Sequence, residues 1–169
     1  EVMHATLDPL SEKSATLLGK GLPAGPGGAT GQIVFFADDA EKWANNNKDV
    51  ILITKETSPE DIHGMHAARG ILTAKGGMTS HAALVARGWG KCCIVGCSDI
   101  VIDFKKRTIS LNNIILKEGD WISLNGSTGN IFANKLSLIK PNLKKNVSFQ
   151  KLMQLANKRK TIKIRANAD

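Results

Sequence analysis

Gly76-Gly-Met-Thr-Ser-His81-Ala-Ala-Leu-Val-Ala-Arg87-Gly-Trp-Gly90 is the stretch on which the fold turns. Its two leading glycines break the preceding element and let a ligand approach the backbone closely. Thr79–His81 then opens a helix that ends near Gly88. Ile71–Thr73 reads as a short strand running into the break, and Cys92–Val95 as the strand beyond the helix. Strand, break, helix and strand in that order point to an α/β fold. His81 opens the helix, where free N–H groups form an anion site and the local field disfavours a charged imidazolium. A neutral ring keeps the lone pair that attack on phosphorus requires. A phosphoryl group on it would face the helix start, which stabilises negative charge. The same pattern fits a capping or core histidine, and the local sequence leaves both open. Ser80-His81 is a poor serine nucleophile with its base, because adjacent helical residues do not face each other and no orienting acid is evident.

Working outward, Val50–Thr54 is an unbroken apolar run that reads as a central strand. Ser58-Pro-Glu-Asp61 starts a helix, with a serine cap, proline in the first position and acids in the first turn; that helix stops near Gly70. Gln32–Phe36 reads as a strand and Asp38–Asn45 as a helix capped by Asp38 or Asp39. Gly21–Gly31 reads as a chain of turns, and it lacks the Gly-Lys-Ser/Thr ending of a nucleotide phosphate loop. Leu7, Leu10, Leu17 and Leu18 predict a helix over 7–18. From Val101 to Ala133 the pattern is strands and turns: Thr108–Leu111, Ile114–Leu116, Trp121–Leu124 and Asn130–Ala133. Residues 135–147 read as a linker, Ser148 as the cap of a last helix, and Thr161–Arg165 as a strand that leads nowhere. Glu1 is not an initiator and the chain stops abruptly at Asp169, so both ends read as cuts from a longer protein.

The chain has 169 residues, 42% apolar and 22% charged, which suits one soluble globular domain. No apolar run reaches the ~18 residues of a membrane span. The net charge of +8 is unevenly held. Residues 135–169 carry ten Lys/Arg and one acid, whereas residues 1–134 carry 13 Lys/Arg and 14 acids. A neutral body without tyrosine argues against nucleic-acid binding, which needs a clustered basic face and stacking platforms. Cys92, Cys93 and Cys97 are odd in number and contain no CxxC pair, so they read as buried thiols in a reducing compartment.

Gly76–Cys97 closely resembles the phosphohistidine signature of phosphoenolpyruvate-utilising enzymes, a Gly-Gly-x-Thr-Ser/Cys-His motif. The resemblance continues through Thr57-Ser-Pro-Glu-Asp-Ile-His-Gly-Met65, Gly70-Ile-Leu-Thr73, Gly21–Gly31 and Asn125-Gly-Ser-Thr-Gly129, so that it covers roughly residues 20–134. It implies a swivelling β/β/α domain over 21–134, with a linker and helix over 1–20. Over 135–169 it implies a basic linker, a helix and the first strand of a C-terminal barrel, whose opening Ile164-Arg-Ala-Asn-Ala-Asp169 resembles. It also implies that His81 carries the phosphoryl group, supported by Gly76, Gly77, Thr79, Ser80 and Arg87. Thr79 matches a regulatory phosphorylation site of plant members, and its hydroxyl is the candidate for a hydrogen bond to the ring; capping with Ser80 is the other role open to it.

Within the family, Met78 stands where phosphoenolpyruvate synthase and enzyme I of the sugar phosphotransferase system usually carry arginine. Gly90-Lys-Cys-Cys93 departs from the same relatives. These residues resemble the branch that interconverts ATP, phosphate and pyruvate with AMP, pyrophosphate and phosphoenolpyruvate; synthase and enzyme I are the alternative. The implied partners are an N-terminal ATP-grasp domain and a C-terminal barrel of the same polypeptide, in a homodimer. The resemblance also implies magnesium at the nucleotide and pyruvate sites of the intact enzyme, with potassium or ammonium as a further candidate, and none of their ligands is placed in this sequence. The implied compartment is the cytoplasm, with organellar targeting left open. A non-catalytic interaction module of the same fold is the reading from another class. His63 and His66, at i and i+3, lack a third metal ligand and read as surface histidines; Lys91 and Arg87 are candidates to meet phosphate; Trp43, Trp89 and Trp121 read as core or interface residues.

Overall fold

The structure, a computed structural model, describes residues 5–139. Its spine is a set of four parallel strands in sequence order: β4 (Gly28–Val34), β5 (Val50–Thr54), β6 (Gly70–Thr73) and β7 (Cys92–Val95). Three connections join them. α2 (Ala37–Asn45) follows β4; a 3-10 turn (Pro59–Asp61) leads into α3 (Ile62–Ala67) after β5; and α4 (His81–Trp89) follows β6. Alternate side chains of these strands serve two cores, as the period of two requires. Val50, Leu52, Ile71, Cys93 and Val95 pack on the helices with Ala40, Met65, Ala83 and Ala86. Ile51, Ile53, Leu72, Cys92 and Ile94 face the other way. There they meet a three-stranded antiparallel sheet of β8 (Val101–Asp103), β9 (Thr108–Leu111) and β10 (Ile114–Lys117), which contributes Ile109 and Leu111. The described residues thus form three layers: small sheet, large sheet, helices.

Antiparallel strands complete the large sheet. β11 (Trp121–Asn125) lies beside β4, β12 (Asn130–Ala133) beside β11, and β2 (Leu17–Lys20) beside β12. At the far end β3 (Leu22–Gly25) pairs with β7. β2 and β3 are separated by Gly21 alone, so one extended segment finishes both ends of an eight-stranded sheet. The sheet can curl this far because the β11–β12 turn passes close over β3: a Cβ on Gly126 would lie 1.9 Å from the Gly25 carbonyl oxygen. β1 (Thr6–Leu7) pairs with β13 (Leu138–Ile139), and α1 (Pro9–Lys13) follows β1, capped by the Asp8 carboxylate on the Leu10 N–H at 3.0 Å.

Several expectations change. The helix predicted over 7–18 shrinks to α1, because Leu17 and Leu18 belong to β2; their spacing fits a helix, and pairing with β12 decides otherwise. Gly21–Gly31 holds β3 and the start of β4 rather than a run of turns. Asp38 and Asp39 lie in the first turn of α2, whose cap position is Phe36 without a side-chain bond. β8 was not separately predicted. The last helix and the final strand lie outside the described residues. Among the described residues no helix is long and apolar enough to cross a membrane.

Candidate functional site

The loops that leave the C-terminal ends of β5 and β6 run side by side, at the edge of a parallel sheet where ligands commonly bind. Lys75 N–H donates to the Lys55 carbonyl at 2.9 Å and ties the two loops together. Gly76 then turns with φ +102°, a region that a side chain strains. The exposed Gly77, Met78 and Thr79 follow, and Ser80 caps α4 by accepting from Ala83 N–H at 3.4 Å.

His81 is the first residue of α4 and is half-buried. Its Nδ1 lies 3.2 Å from the Thr57 hydroxyl, on the neighbouring loop. Nε2 makes no hydrogen bond to the described residues. With the proton on Nδ1 donated to Thr57 Oγ1, the lone pair sits on Nε2. The ring is thus held through Nδ1 at the start of a helix, with Nε2 left without a hydrogen-bond partner among the described residues.

The expected supports divide. Ser80, Gly76 and Gly77 shape the turn that presents His81, but Thr79 makes no hydrogen bond to the ring among the described residues. The hydroxyl on the ring is that of Thr57. Among the described residues Arg87 meets no acid: its guanidinium donates to the Met78 carbonyl and, at 3.3 Å, to the Ala24 carbonyl, so it braces the glycine loop against β3. Lys91 donates to the carbonyls of His66, at 2.8 Å, and Ala68, which closes the C-terminal end of α3. Burial, and then the charge of Arg69, pushes the Lys91 amine down to about 8. Both candidate phosphate cations are thus engaged with main-chain oxygens.

Other singled-out residues stand apart. His63 Nε2 meets the Asp38 carboxylate at 2.8 Å, which raises the His63 pKa above its ordinary value, and His66 packs edge-on against Trp89. Lys48 lies over the Trp43 ring and Lys135 over the Trp121 ring. Cys92, Cys93 and Cys97 are free and buried, and burial pushes the Cys92 and Cys93 thiols up to about 12. Among the described residues no group of three His, Cys, Asp or Glu could hold a metal ion.

The site is thus a helix-start histidine at the strand ends of a three-layer α/β domain. Residues 46–129 match the family described as PEP-utilising enzyme, mobile domain. Over all 169 residues it is 47% identical to the chloroplastic pyruvate, phosphate dikinase of Flaveria pringlei. It is 48% identical to the chloroplastic pyruvate, phosphate dikinase 1 of Arabidopsis thaliana and 49% identical to the pyruvate, phosphate dikinase 2 of Oryza sativa subsp. japonica, each over the whole chain. The chain spans 18%, 17% and 19% of the length of these three relatives.

Proposed function

We propose that this chain contains the phosphoryl-carrier domain of a pyruvate, phosphate dikinase, with His81 as the covalent carrier. The observation that carries it is the His81 ring, held through Nδ1 by Thr57 at 3.2 Å with Nε2 free of hydrogen bonds to the described residues. In the step from phosphoenolpyruvate, the Nε2 lone pair attacks phosphorus. The N–P bond forms as the P–O bond to the enolate breaks, and the enolate leaves with that electron pair to become pyruvate on protonation. In the opposite direction, ATP pyrophosphorylates His81, AMP leaves, phosphate takes the terminal phosphoryl as pyrophosphate, and phospho-His81 goes on to pyruvate enolate.

Two half-reactions that both exclude water need separate enclosures, so one histidine serves both by travelling. The partners would be an ATP-grasp domain before this chain and a barrel after it, in a homodimer, with the boundaries set at 1–20, 21–134 and 135–169. The segment 134–147 is long enough for a hinge, since 14 extended residues span up to about 45–50 Å, whereas a hinge within 1–20 would have to lie before Leu17, because Leu17–Lys20 is built into the sheet as β2. The linker helices at both ends and a first barrel strand at 161–165 belong to the same proposal. Magnesium, with potassium or ammonium, would be held by those partner domains, and no step here passes through it. Thr79, exposed beside the carrier, would be open to a regulatory kinase. Three buried free thiols fit a reducing compartment, cytosolic or organellar.

The test is labelling of the full-length enzyme with [32P]phosphoenolpyruvate. Acid-labile, alkali-stable label is expected on the wild type and none on His81→Asn with its fold intact. Equal label on both would overturn the assignment.

A further inference from the structure

We propose that Asp61 is a positioning residue for His81, acting through the turn that carries Thr57; this rests on His81 being the phosphoryl carrier. Thr57 occupies a short span between two anchors. On its N-terminal side, the Lys55 carbonyl accepts from Lys75 N–H at 2.9 Å and the Thr54 carbonyl from Ala74 N–H at 3.1 Å, which fixes the loop to the end of β6. On its C-terminal side, the Asp61 carboxylate accepts from Ser58 N–H at 2.9 Å and from the Ser58 hydroxyl at 3.4 Å. Asp61 N–H returns a bond to the Ser58 carbonyl at 2.9 Å, so the four-residue turn is closed from both directions. Glu56 and Thr57 themselves make no main-chain hydrogen bonds among the described residues.

The Ser58 N–H belongs to the same peptide unit as the Thr57 carbonyl. Holding it fixes that peptide plane, and with it ψ of Thr57 and the direction of its Cα–Cβ bond. The Thr57 hydroxyl must lie within hydrogen-bond reach of Nδ1 to keep the proton there and the lone pair on Nε2. Asp61 touches neither the ring nor the site of transfer. Its half-buried carboxylate sets where the hydroxyl stands. A plain helix-capping role would support α3 and leave the ring's tautomer untouched.

The experiment is a double-mutant cycle in the full-length enzyme: Asp61→Ala, Thr57→Val and the pair, with Asp61→Asn as the conservative variant. Two quantities are read: the single-turnover rate of His81 labelling from phosphoenolpyruvate and the 15N shifts of the His81 ring. Loss of the oriented hydrogen bond should slow labelling roughly fivefold in either single variant. The pair should be no slower than Thr57→Val alone, because both substitutions remove the same contact. Asp61→Asn keeps an acceptor oxygen and should recover most of the rate. In Asp61→Ala the Nδ1 shift should move toward that of an exchanging imidazole.

Multiplicative losses in the pair, or a wild-type rate and Nδ1 shift in Asp61→Ala, would overturn the proposal. Label that persists on His81→Asn would instead overturn the carrier assignment. The ring shifts decide the Asp61 claim in that case too: an unmoved Nδ1 sinks it. If Asp61→Ala does not fold, Asp61→Leu, which keeps the volume and accepts no hydrogen bond, is read in its place with the same expected and overturning outcomes.

Discussion

Two Thr-Ser pairs open the two helical connections beside the site, Thr57-Ser58 after β5 and Thr79-Ser80 after β6. In sequence they look alike, and the second stands two residues from the histidine. The structure divides their work differently. Thr57, 24 residues away along the chain, gives its hydroxyl to the ring, while Thr79 is exposed. Ser80 caps α4 with its own hydroxyl, whereas Ser58 is gripped by Asp61. The far ends differ as well: α4 stops at Gly90 with φ +68°, and α3 stops against the Lys91 ammonium. Which hydroxyl meets the His81 ring is settled by neighbouring strands, not by neighbouring residues.

Gly76→Val is the harshest way to break the second pair. It places a β-branched residue at φ +102° and a Cβ 3.1 Å from Ser80. Backbone strain of about 1–3 kcal/mol is expected, and His81 labelling should fall about tenfold or more if that strain displaces the ring. Single-turnover labelling measures this, with urea unfolding to separate misplacement from lost stability.

The hydroxyls themselves sharpen the contrast. Thr57→Val should cost labelling about 1 kcal/mol, roughly fivefold, whereas Thr79→Val should cost less than about twofold. The reverse ranking in the same assay would assign the ring contact to Thr79.

A smaller effect separates the helix ends. Below about pH 8 the folded Lys91 is charged like its unfolded counterpart, and its burial cost is fully present. Between about 8 and 10.5 the folded amine loses its proton first, so the unfolded chain binds more protons and this contribution raises stability with pH. The thiols act oppositely, because Cys92 and Cys93 hold their protons to about 12 only when folded. The difference between wild type and Lys91→Met in melting temperature, followed from pH 8 to 10, cancels the thiol contribution. Lys91→Met should lack the rising component. At pH 8 the three thiols should be silent to a thiol reagent in the native protein and react once it unfolds, which thiol titration in and out of denaturant reads directly.

Much of this fold is legible in the sequence because its strands are buried on both faces. Val50–Thr54 and Cys92–Val95 are unbroken apolar runs, and Gly76, Ser80 and Gly90 punctuate the connection between β6 and β7. Leu17 and Leu18 were misread because an edge strand four residues long takes its identity from a partner more than a hundred residues away. At the site, His81 and its helix start carry a local signal. Thr57 does not, since its role depends on Lys75 N–H drawing two loops together. The repeated Thr-Ser before each helix was the available clue. The partners of Arg87 and Lys91 carry no local signal either: a cation's partner is a matter of geometry, and both meet main-chain carbonyls.

The segment that finishes both ends of the sheet sets a timetable for synthesis. Leu17–Lys20 pairs with Asn130–Ala133, and β4 with β11, so the first strands made wait for the last. At about 5–20 residues per second, β2 leaves the ribosome on the order of ten seconds before its partner exists. Through that interval Leu17 and Leu18 have no sheet to join, and β4 has a neighbour on its β5 side alone. Completion of the large sheet is therefore gated by the arrival of residues 121–133, and a chain halted before Asn130 would be held with β2 bare.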